Sequence, residues 1–310
     1  MKDINLTAVV IALREQEFID KCLRAIYPFV RRIYVISNYD TDYYGNEGQP
    51  DQTIDIVLGF DDPEKKIILL VNRRILDETI QRNWAMLSDK ALCNVSHRRF
   101  SPHGYTLKEI RDRSPQTDFF WIIDADEIYD PQTIPGAIDF VSRTRWNCVL
   151  VRGHNFFKKW NYRISLSSDQ FWQIGFLRPG TFFYSRRRPY IPRPLGWIHY
   201  INKSFAQRLI HIYCNETKLP ENIANFYHAS YVGDDERIRK KLLSSSHAQE
   251  LADQGLDEWF EKVWKQWHPE MENFYFSGNA KAWSGVDYIS TSSLPLIIRD
   301  SSWPDGWIEK

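Results

Sequence analysis

Short runs of β-branched and aliphatic residues alternate with helix-like stretches through the first 142 residues of this 310-residue chain. The apolar runs cover residues 7–13, 32–37, 67–71 and 119–123. Between the first two runs, Phe18, Leu23 and Ile26 recur at the spacing of one helix face. Strands that alternate with helices form βαβ units, so the pattern predicts an α/β fold with a mostly parallel sheet flanked by helices.

Capping residues indicate where three of the helices begin. Thr53 is predicted to cap a short helix and Asp77 to cap the next one. Asp130-Pro131 is predicted to begin a third, because proline is tolerated in the first turn of a helix. Residues 90–116 are polar and basic and long for a connection, so we expect a functional loop there.

The pattern of predicted secondary structure changes near residue 145. Beyond it, strands and loops carry Gly and Pro punctuation, and helical spacing returns at 235–251 and 256–267. We therefore expect two halves, 1–145 and 146–310, within one continuous domain. Ten of the 12 tryptophans follow residue 140, and most of them are expected to fill cores, while the others could stack on sugar rings.

Composition excludes several classes of protein. Lys plus Arg equals Asp plus Glu at 40 each, which gives no electrostatic case for nucleic acid or an anionic membrane as partner. The four cysteines stand far apart, so neither a disulfide framework nor a zinc site is expected. We find no signal-peptide pattern at the N-terminus and no apolar stretch of membrane-spanning length. A cytoplasmic protein without an integral membrane segment is the expectation.

Three carboxylates follow the most hydrophobic predicted strand. Asp124, Asp126 and Glu127 come directly after the apolar run 119–123, and ligands of open α/β sheets bind outside the carboxyl ends of the strands. Mutual repulsion among these carboxylates would be relieved by a divalent cation, and Mg²⁺ and Mn²⁺ prefer oxygen ligands. The alternative is a solvated acidic turn that caps the following helix.

Several landmarks in order make the resemblance to a known family specific. They are Ala12-Leu13-Arg14-Glu15, Asp40-Thr41-Asp42, Gln81-Arg82-Asn83-Trp84-Ala85, residues 120–127 with Asp124-Ala125-Asp126-Glu127, and far downstream Tyr227-His228-Ala229-Ser230-Tyr231. The first four resemble the family-two glycosyltransferases of the GT-A fold over residues 4–142. The acidic motif together with the downstream one is similar to the branch containing bisecting N-acetylglucosaminyltransferases.

The resemblance implies roles for individual residues. Asp124 would contact the ribose or a metal-bound water, and Asp126 would bind a Mn²⁺ or Mg²⁺ ion that bridges the two phosphates of a nucleotide-sugar donor. Glu15, Asp42 and Arg82 would line the nucleotide pocket, and the alternatives are an acid at a helix start, an acid in a loop and an exposed basic side chain, respectively. The donor would be a UDP- or GDP-sugar, bound by residues 1–145, and residues 146–310 would shape the site for a carbohydrate or glycan acceptor.

One position departs from the family pattern. Where the family has an aspartate after the second strand to read the base, this chain has Ser37-Asn38. Both side chains can still form hydrogen bonds with a base edge, but the carboxylate is missing. The identity of the nucleotide is left open.

His228 is the candidate that would complete the metal site from the second half. In related enzymes a histidine at such a place adds an imidazole ligand and favours Mn²⁺ over Mg²⁺, whereas the alternative is a histidine packed against Tyr227 and Tyr231. The cations Arg237, Arg239, Lys240 and Lys241 follow it. They could lie near the phosphates or form a solvated face.

An inverting transferase also needs a general base that takes the proton from the acceptor hydroxyl. Asp169 is the candidate, because it lies beside aromatic residues in the second half, and Glu216 and Glu221 are its rivals.

The leading hypothesis is therefore a metal-dependent, inverting glycosyltransferase. A sugar-phosphate nucleotidyltransferase would need a Gly-rich phosphate loop after the first strand, which residues 12–15 do not provide. A non-catalytic carbohydrate-binding protein on a degenerate fold of this type is the third hypothesis.

Overall fold

The computed structural model describes residues 4–38, 51–72, 78–89, 99–100, 117–166, 171–185, 188–190, 215–244, 253, 255–274 and 283–309. Asp42, Asp77 and Asp169, three of the residues singled out in the sequence, lie outside these ranges. Cys22 and Cys148 are buried free thiols.

One large mixed sheet organises the described part of the chain. Its strands are β1 (Leu6–Ile11), β2 (Arg32–Asn38), β3 (Ile67–Asn72), β4 (Arg99–Phe100), β5 (Phe119–Asp124), β6 (Glu127–Tyr129), β7 (Cys148–Leu166), β8 (Trp172–Leu177), β11 (Glu216–Lys218), β12 (Asn225–Val232) and β13 (Trp283–Tyr288). Strands β9 (Phe182–Ser185) and β10 (Arg188–Tyr190) form a separate pair. The order is β4-β3-β2-β1-β5-β8-β7-β12-β6, with β11 and β13 on β7.

Helices flank this sheet. They are α1 (Ile19–Ile26), α2 (Thr53–Leu58), α3 (Glu78–Asp89), α4 (Ile134–Arg143), α5 (Asp235–Ser244), α6 (Leu256–Trp259), which continues into a π-helical turn (Phe260–Trp264), and α7 (Leu296–Arg299). Short 3₁₀ turns cover Tyr27–Phe29 and Thr291–Ser293. None of the helices in the described part of the chain has both the length and the apolar character to cross a bilayer.

The predicted α/β class is confirmed, and β1, β2, β3 and β5 are parallel neighbours. Each of the four predicted strands occurs within two residues of its expected bounds. The sheet continues across residue 145, because β8 pairs with β5 and β7 pairs with β8.

Two helix starts differ from the prediction. Helix α4 begins at Ile134, since Asp130 to Thr133 close a turn in which Asp130 Oδ1 accepts from the backbone N–H of Gln132. The proline in the first turn is Pro135. Thr53 is the first residue of α2 and its hydroxyl makes no capping bond to that helix, because it accepts from the backbone N–H of Glu15 and donates to Asp51.

Apolar residues cover both faces of the parallel strands, and a third core forms around Phe157, Trp264 and Trp283. Trp121, Trp160 and Trp264 are fully buried, as expected for tryptophans that fill cores. Polar side chains lie instead at the edge of the sheet formed by the carboxyl ends of β1, β2 and β5.

Candidate active site

The register of the parallel strands brings Glu15 and Asp124 to one edge of the sheet. Ile11 at the end of β1 lies opposite Ile36 of β2 on one side and Asp124 of β5 on the other. Glu15 therefore follows β1 at the same edge where Asp124 ends β5. The chain runs from β1 outward to β2 and β3 and returns to β5 on the other side of β1. This reversal between β1 and β5 is the topological switch point at which open α/β sheets bind ligands.

Asp124 is held by a buried arginine. Arg82 on α3 is 1% exposed, and its guanidinium donates to Asp124 Oδ1 at 3.0 Å and to Glu78 Oε2 at 3.1 Å. The backbone N–H of Asp124 donates to Glu127 Oε2 at 3.2 Å, which closes the acidic turn on itself. Arg82 thus fixes the Asp124 carboxylate, whose side chain is 29% exposed.

Asp126 lies deeper than its place in an acidic turn indicates, at 4% exposure. Its Oδ2 atom accepts from the Ser230 hydroxyl at 2.8 Å and from the Lys241 ammonium at 2.5 Å, and it lies 3.4 Å from His228 Nε2. Burial raises the pKa of Asp126, but Lys241 and His228 outweigh it, so the net pKa lies well below the usual value. Asp126 is a buried carboxylate with partners from the second half of the chain.

Strand β12 explains why these partners reach Asp126. His228 lies opposite Glu127 of β6 on one side and Asn155 of β7 on the other, and the backbone N–H of Ala229 donates to the carbonyl of Asp126 at 2.9 Å. Side chains two apart on a strand share a face, and the hydroxyl of Ser230 lies 2.8 Å from His228 Nε2.

The imidazole of His228 is held at both nitrogens. Nδ1 lies 2.6 Å from Asn155 Oδ1, and since that oxygen only accepts, Nδ1 carries a proton. The ring of Phe171 stacks on the imidazole with centroids 5.6 Å apart and an interplanar angle of 12°. Burial lowers the pKa of His228, but the Asp126 carboxylate more than offsets this, and the net pKa is raised above 6.5.

Helix α5 supplies two cations to the loop that follows β1. Lys241 donates to Glu15 Oε1 at 2.6 Å and Arg237, one turn earlier, to Glu15 Oε2 at 3.3 Å. Burial raises the pKa of Glu15 to about 7, with Lys241 and Arg237 opposing and Asp126 adding to the rise. The pKa of Lys241, which burial lowers, is raised overall by Asp126 and Glu15.

The four cations predicted on this helix divide into two pairs. Arg237 and Lys241 face the site, whereas Arg239 pairs with exposed Asp257 and Lys240 with exposed Glu236. Helical periodicity could have predicted that Arg237 and Lys241 point the same way, because residues four apart lie on one face of a helix. No role was predicted for Ser230 or Asn155 from the sequence: Ser230 belongs to the motif around His228, two residues after it, whereas nothing marks Asn155.

The predicted metal ligands can be tested against these contacts. Within the described residues, no three side chains of the types His, Cys, Asp and Glu lie close enough together to hold a metal ion. Asp126 and His228 could offer one donor each, but the ammonium of Lys241 occupies Asp126 Oδ2, and Arg82 binds Asp124. In this arrangement Asp124, Asp126 and His228 do not fit a metal site, and the Mn²⁺ or Mg²⁺ ion stays a prediction.

Two of the three candidate bases can be located. Glu216 lies on the short strand β11 with its side chain exposed. Glu221 forms an ion pair with Arg152 of β7.

Comparisons with known proteins give distant likenesses. No protein-family model and no curated protein sequence matches the chain. Among solved structures, it is similar to residues 1–349 of S. aureus TarS in complex with UDP-GlcNAc, with 12% identity, coverage of 82% of this chain and 71% of that one, and a TM-score of 0.43. The same TarS segment with UDP gives 12% identity, coverage of 85% and 74%, and a TM-score of 0.39.

A second kind of enzyme is matched at a lower level. The inositol-1-phosphate CTP transferase from T. maritima has 11% identity, coverage of 79% of this chain and 99% of that one, and a TM-score of 0.32. TM-scores in this range identify neither a family nor an activity.

Proposed function

We propose that the chain is a glycosyltransferase that moves a sugar from a UDP- or GDP-sugar to a hydroxyl of a carbohydrate acceptor. The observation that carries the proposal is the pair of carboxylates, Asp124 and Asp126, at the end of a central parallel strand, each held by a cation of the chain. This edge lies at the topological switch point of the sheet, where nucleotides bind in open α/β folds.

Unpartnered polar atoms at the end of β2 support a base-binding role there. Ser37, 2% exposed, and Asn38 each carry a buried oxygen, Oγ and Oδ1, with no hydrogen-bond partner among the described residues. A buried polar atom without a partner costs about 1–3 kcal/mol. Successive side chains of a strand point to opposite faces, so a nucleotide base edge would supply the partner to one of these two oxygens, at the place where the family has an aspartate.

The transfer needs stabilisation of negative charge on the leaving group. The acceptor hydroxyl attacks the anomeric carbon, the bond from that carbon to the diphosphate oxygen breaks, and its electron pair stays on the nucleoside diphosphate. Preorganised cations at that oxygen lower the barrier because the charge develops in the transition state. Asp124, fixed by Arg82, is suited to accept hydrogen bonds from the ribose hydroxyls.

The acceptor proton requires a base, and Asp169 remains our candidate. Asp169→Asn should lower turnover by roughly 10²- to 10⁴-fold, the usual range for general-base catalysis, with donor affinity unchanged. Glu216→Gln and Glu221→Gln are the matched comparisons. If one of these abolishes turnover and Asp169→Asn does not, the base is reassigned.

A thermal-shift screen tests the proposed function directly. In a screen of UDP, GDP and CDP, each with and without Mn²⁺, UDP or GDP should raise the melting temperature, because a ligand at 100 times its Kd stabilises the native state by about 2.7 kcal/mol. Ser37→Ala should weaken the binding of that ligand. The corresponding nucleotide sugar should then release nucleoside diphosphate in the presence of carbohydrate acceptors.

Other outcomes point to the two other hypotheses. Release of pyrophosphate from a nucleoside triphosphate and a sugar phosphate would identify a nucleotidyltransferase. Binding of glycans without any nucleotide-dependent turnover would identify a carbohydrate-binding protein.

A further inference from the structure

Lys241 joins the two loops on either side of the switch point. Its ammonium donates to Glu15 Oε1, after β1, at 2.6 Å and to Asp126 Oδ2, after β5, at 2.5 Å. Both carboxylates are buried, whereas 21% of the Lys241 side chain is exposed. A lysine ammonium has three N–H donors, and these two bonds leave a third for a ligand in the crevice.

The same ammonium lies where the sequence predicts a divalent cation. Asp126 Oδ2, one of the predicted ligand atoms, is 3.4 Å from His228 Nε2 and 2.5 Å from Lys241 Nζ. A metal bound to Asp126 at the usual distance of about 2.0–2.2 Å would therefore lie within a few ångströms of a second cation. Like charges that close repel each other strongly, so the metal and the ammonium compete for one position.

A second cation reinforces the first. Arg237 lies one helical turn before Lys241, donates to the other oxygen of Glu15 and is anchored by the carbonyl of Val232 at 2.6 Å. Two cations on one helix face thus point to the edge at which the diphosphate of a donor would lie.

From these contacts we propose that Lys241 is the resident cation of the site, and that it binds the donor diphosphate without a divalent metal. The inference rests on the proposed function, because it assigns the neutralising charge of the same transfer reaction. As the bond from the anomeric carbon to the diphosphate breaks, the electron pair goes to a diphosphate oxygen. The third N–H of Lys241 donates to that diphosphate, and the acceptor proton goes to the base.

The wild-type protein provides the first test. Titration calorimetry with UDP and with GDP, in excess EDTA and in excess Mn²⁺, should give binding of one nucleotide in EDTA with an affinity that Mn²⁺ does not raise by more than about twofold. Binding that requires Mn²⁺ would overturn the inference while the proposed function stands. If neither nucleotide binds in either condition, the proposed function fails and the inference fails with it.

Variants separate Lys241 from its neighbours on the helix. Lys241→Met should weaken nucleotide binding in EDTA about 10- to 100-fold, the fold-change that corresponds to one hydrogen bond from a charged group. Lys240→Met, which removes an exposed lysine paired with Glu236, should leave it unchanged. Lys241→Met should also open Asp126 to Mn²⁺, so that added metal restores part of the affinity.

A change in folding is controlled in two ways. Loss of Lys241 leaves Glu15 and Asp126 without their shared counter-ion. Above pH 7, where Glu15 is ionised, the double variant Lys241→Met/Glu15→Gln removes one negative charge together with the positive one and keeps the local charge balanced. Melting temperatures are measured on the same samples. Nucleotide affinity in EDTA that equals wild type in either folded variant would overturn the role of Lys241.

Discussion

Replacing Glu15 with glutamine should remove a specific pH dependence of stability. Burial raises the pKa of Glu15 from its ordinary 4.5 to about 7. Between these two values the native state keeps a proton that the unfolded chain has lost, so the free energy of unfolding falls as the pH rises. Each pH unit of that interval is worth about 1.4 kcal/mol, and the wild-type protein should lose about 3 kcal/mol relative to Glu15→Gln between pH 4.5 and 7.

A second residue, His154, also titrates in this pH range. The informative quantity is therefore the difference in unfolding free energy between the wild-type protein and Glu15→Gln. Burial, assisted by Arg163 and Arg152, lowers the pKa of His154 from 6.5 to about 4. The unfolded state then binds the extra proton, and this contribution to stability rises with pH over nearly the same interval. In the wild-type protein the pH dependence caused by Glu15 and the one caused by His154 oppose each other. Both proteins contain His154, so subtracting the unfolding free energy of Glu15→Gln from that of the wild type at each pH cancels the histidine contribution.

Urea unfolding followed by tryptophan fluorescence, at closely spaced pH values from 4.5 to 8, measures both curves. Glu272→Gln, which removes an exposed carboxylate of the same type, is the matched control. A difference between wild type and Glu15→Gln that is constant with pH would refute the reasoning. It would mean that Lys241 and Arg237 outweigh burial and keep Glu15 ionised throughout.

Three further substitutions test neighbouring features. Asn155→Leu removes the acceptor 2.6 Å from His228 Nδ1, so urea unfolding should show a loss of about 1–3 kcal/mol. His154→Gln should abolish the rise of stability between pH 4 and 6.5 that the buried imidazole causes, which is about 3 kcal/mol. Gly233→Ala should destabilise the protein by about 1–3 kcal/mol, because Gly233 has φ +139° and a Cβ there would lie 2.9 Å from the Cδ atom of Arg237. Gly285→Ala is the matched control, since a Cβ at Gly285 would meet nothing within 4 Å.

The strands and the place of the acidic motif could be predicted because their causes are local. A continuous apolar run such as Phe119 to Ile123 has to be buried on both faces of a sheet, and the polar residue that ends it has to lie at the sheet edge. Asp124 meets that expectation at 29% exposure. Local patterns were less reliable at helix starts, since Asp130 forms a turn and Thr53 bonds to the loop after β1.

The contacts that define the site could not be predicted in the same way, because they join distant parts of the chain. Lys241 is 226 residues from Glu15 and 115 from Asp126. Asn155 meets His228 because β7 and β12 pair in one particular register, and a different register would bring another side chain to the imidazole. Neither composition nor spacing fixes that register.

The short connection between β5 and β6 explains how the second half of the chain reaches Asp126. Asp124 ends β5 and Glu127 begins β6, so three residue steps join strands that are four places apart in the sheet order. Four strand spacings in a flat sheet would need about 19 Å, while three extended residue steps span at most about 11 Å. The sheet must therefore curl between β5 and β6. That curl carries β12, and with it His228, over the acidic turn, and α5 follows β12 to the same edge. A ligand bound at Asp124 and Asp126 would therefore meet cations and polar side chains from both halves of the chain.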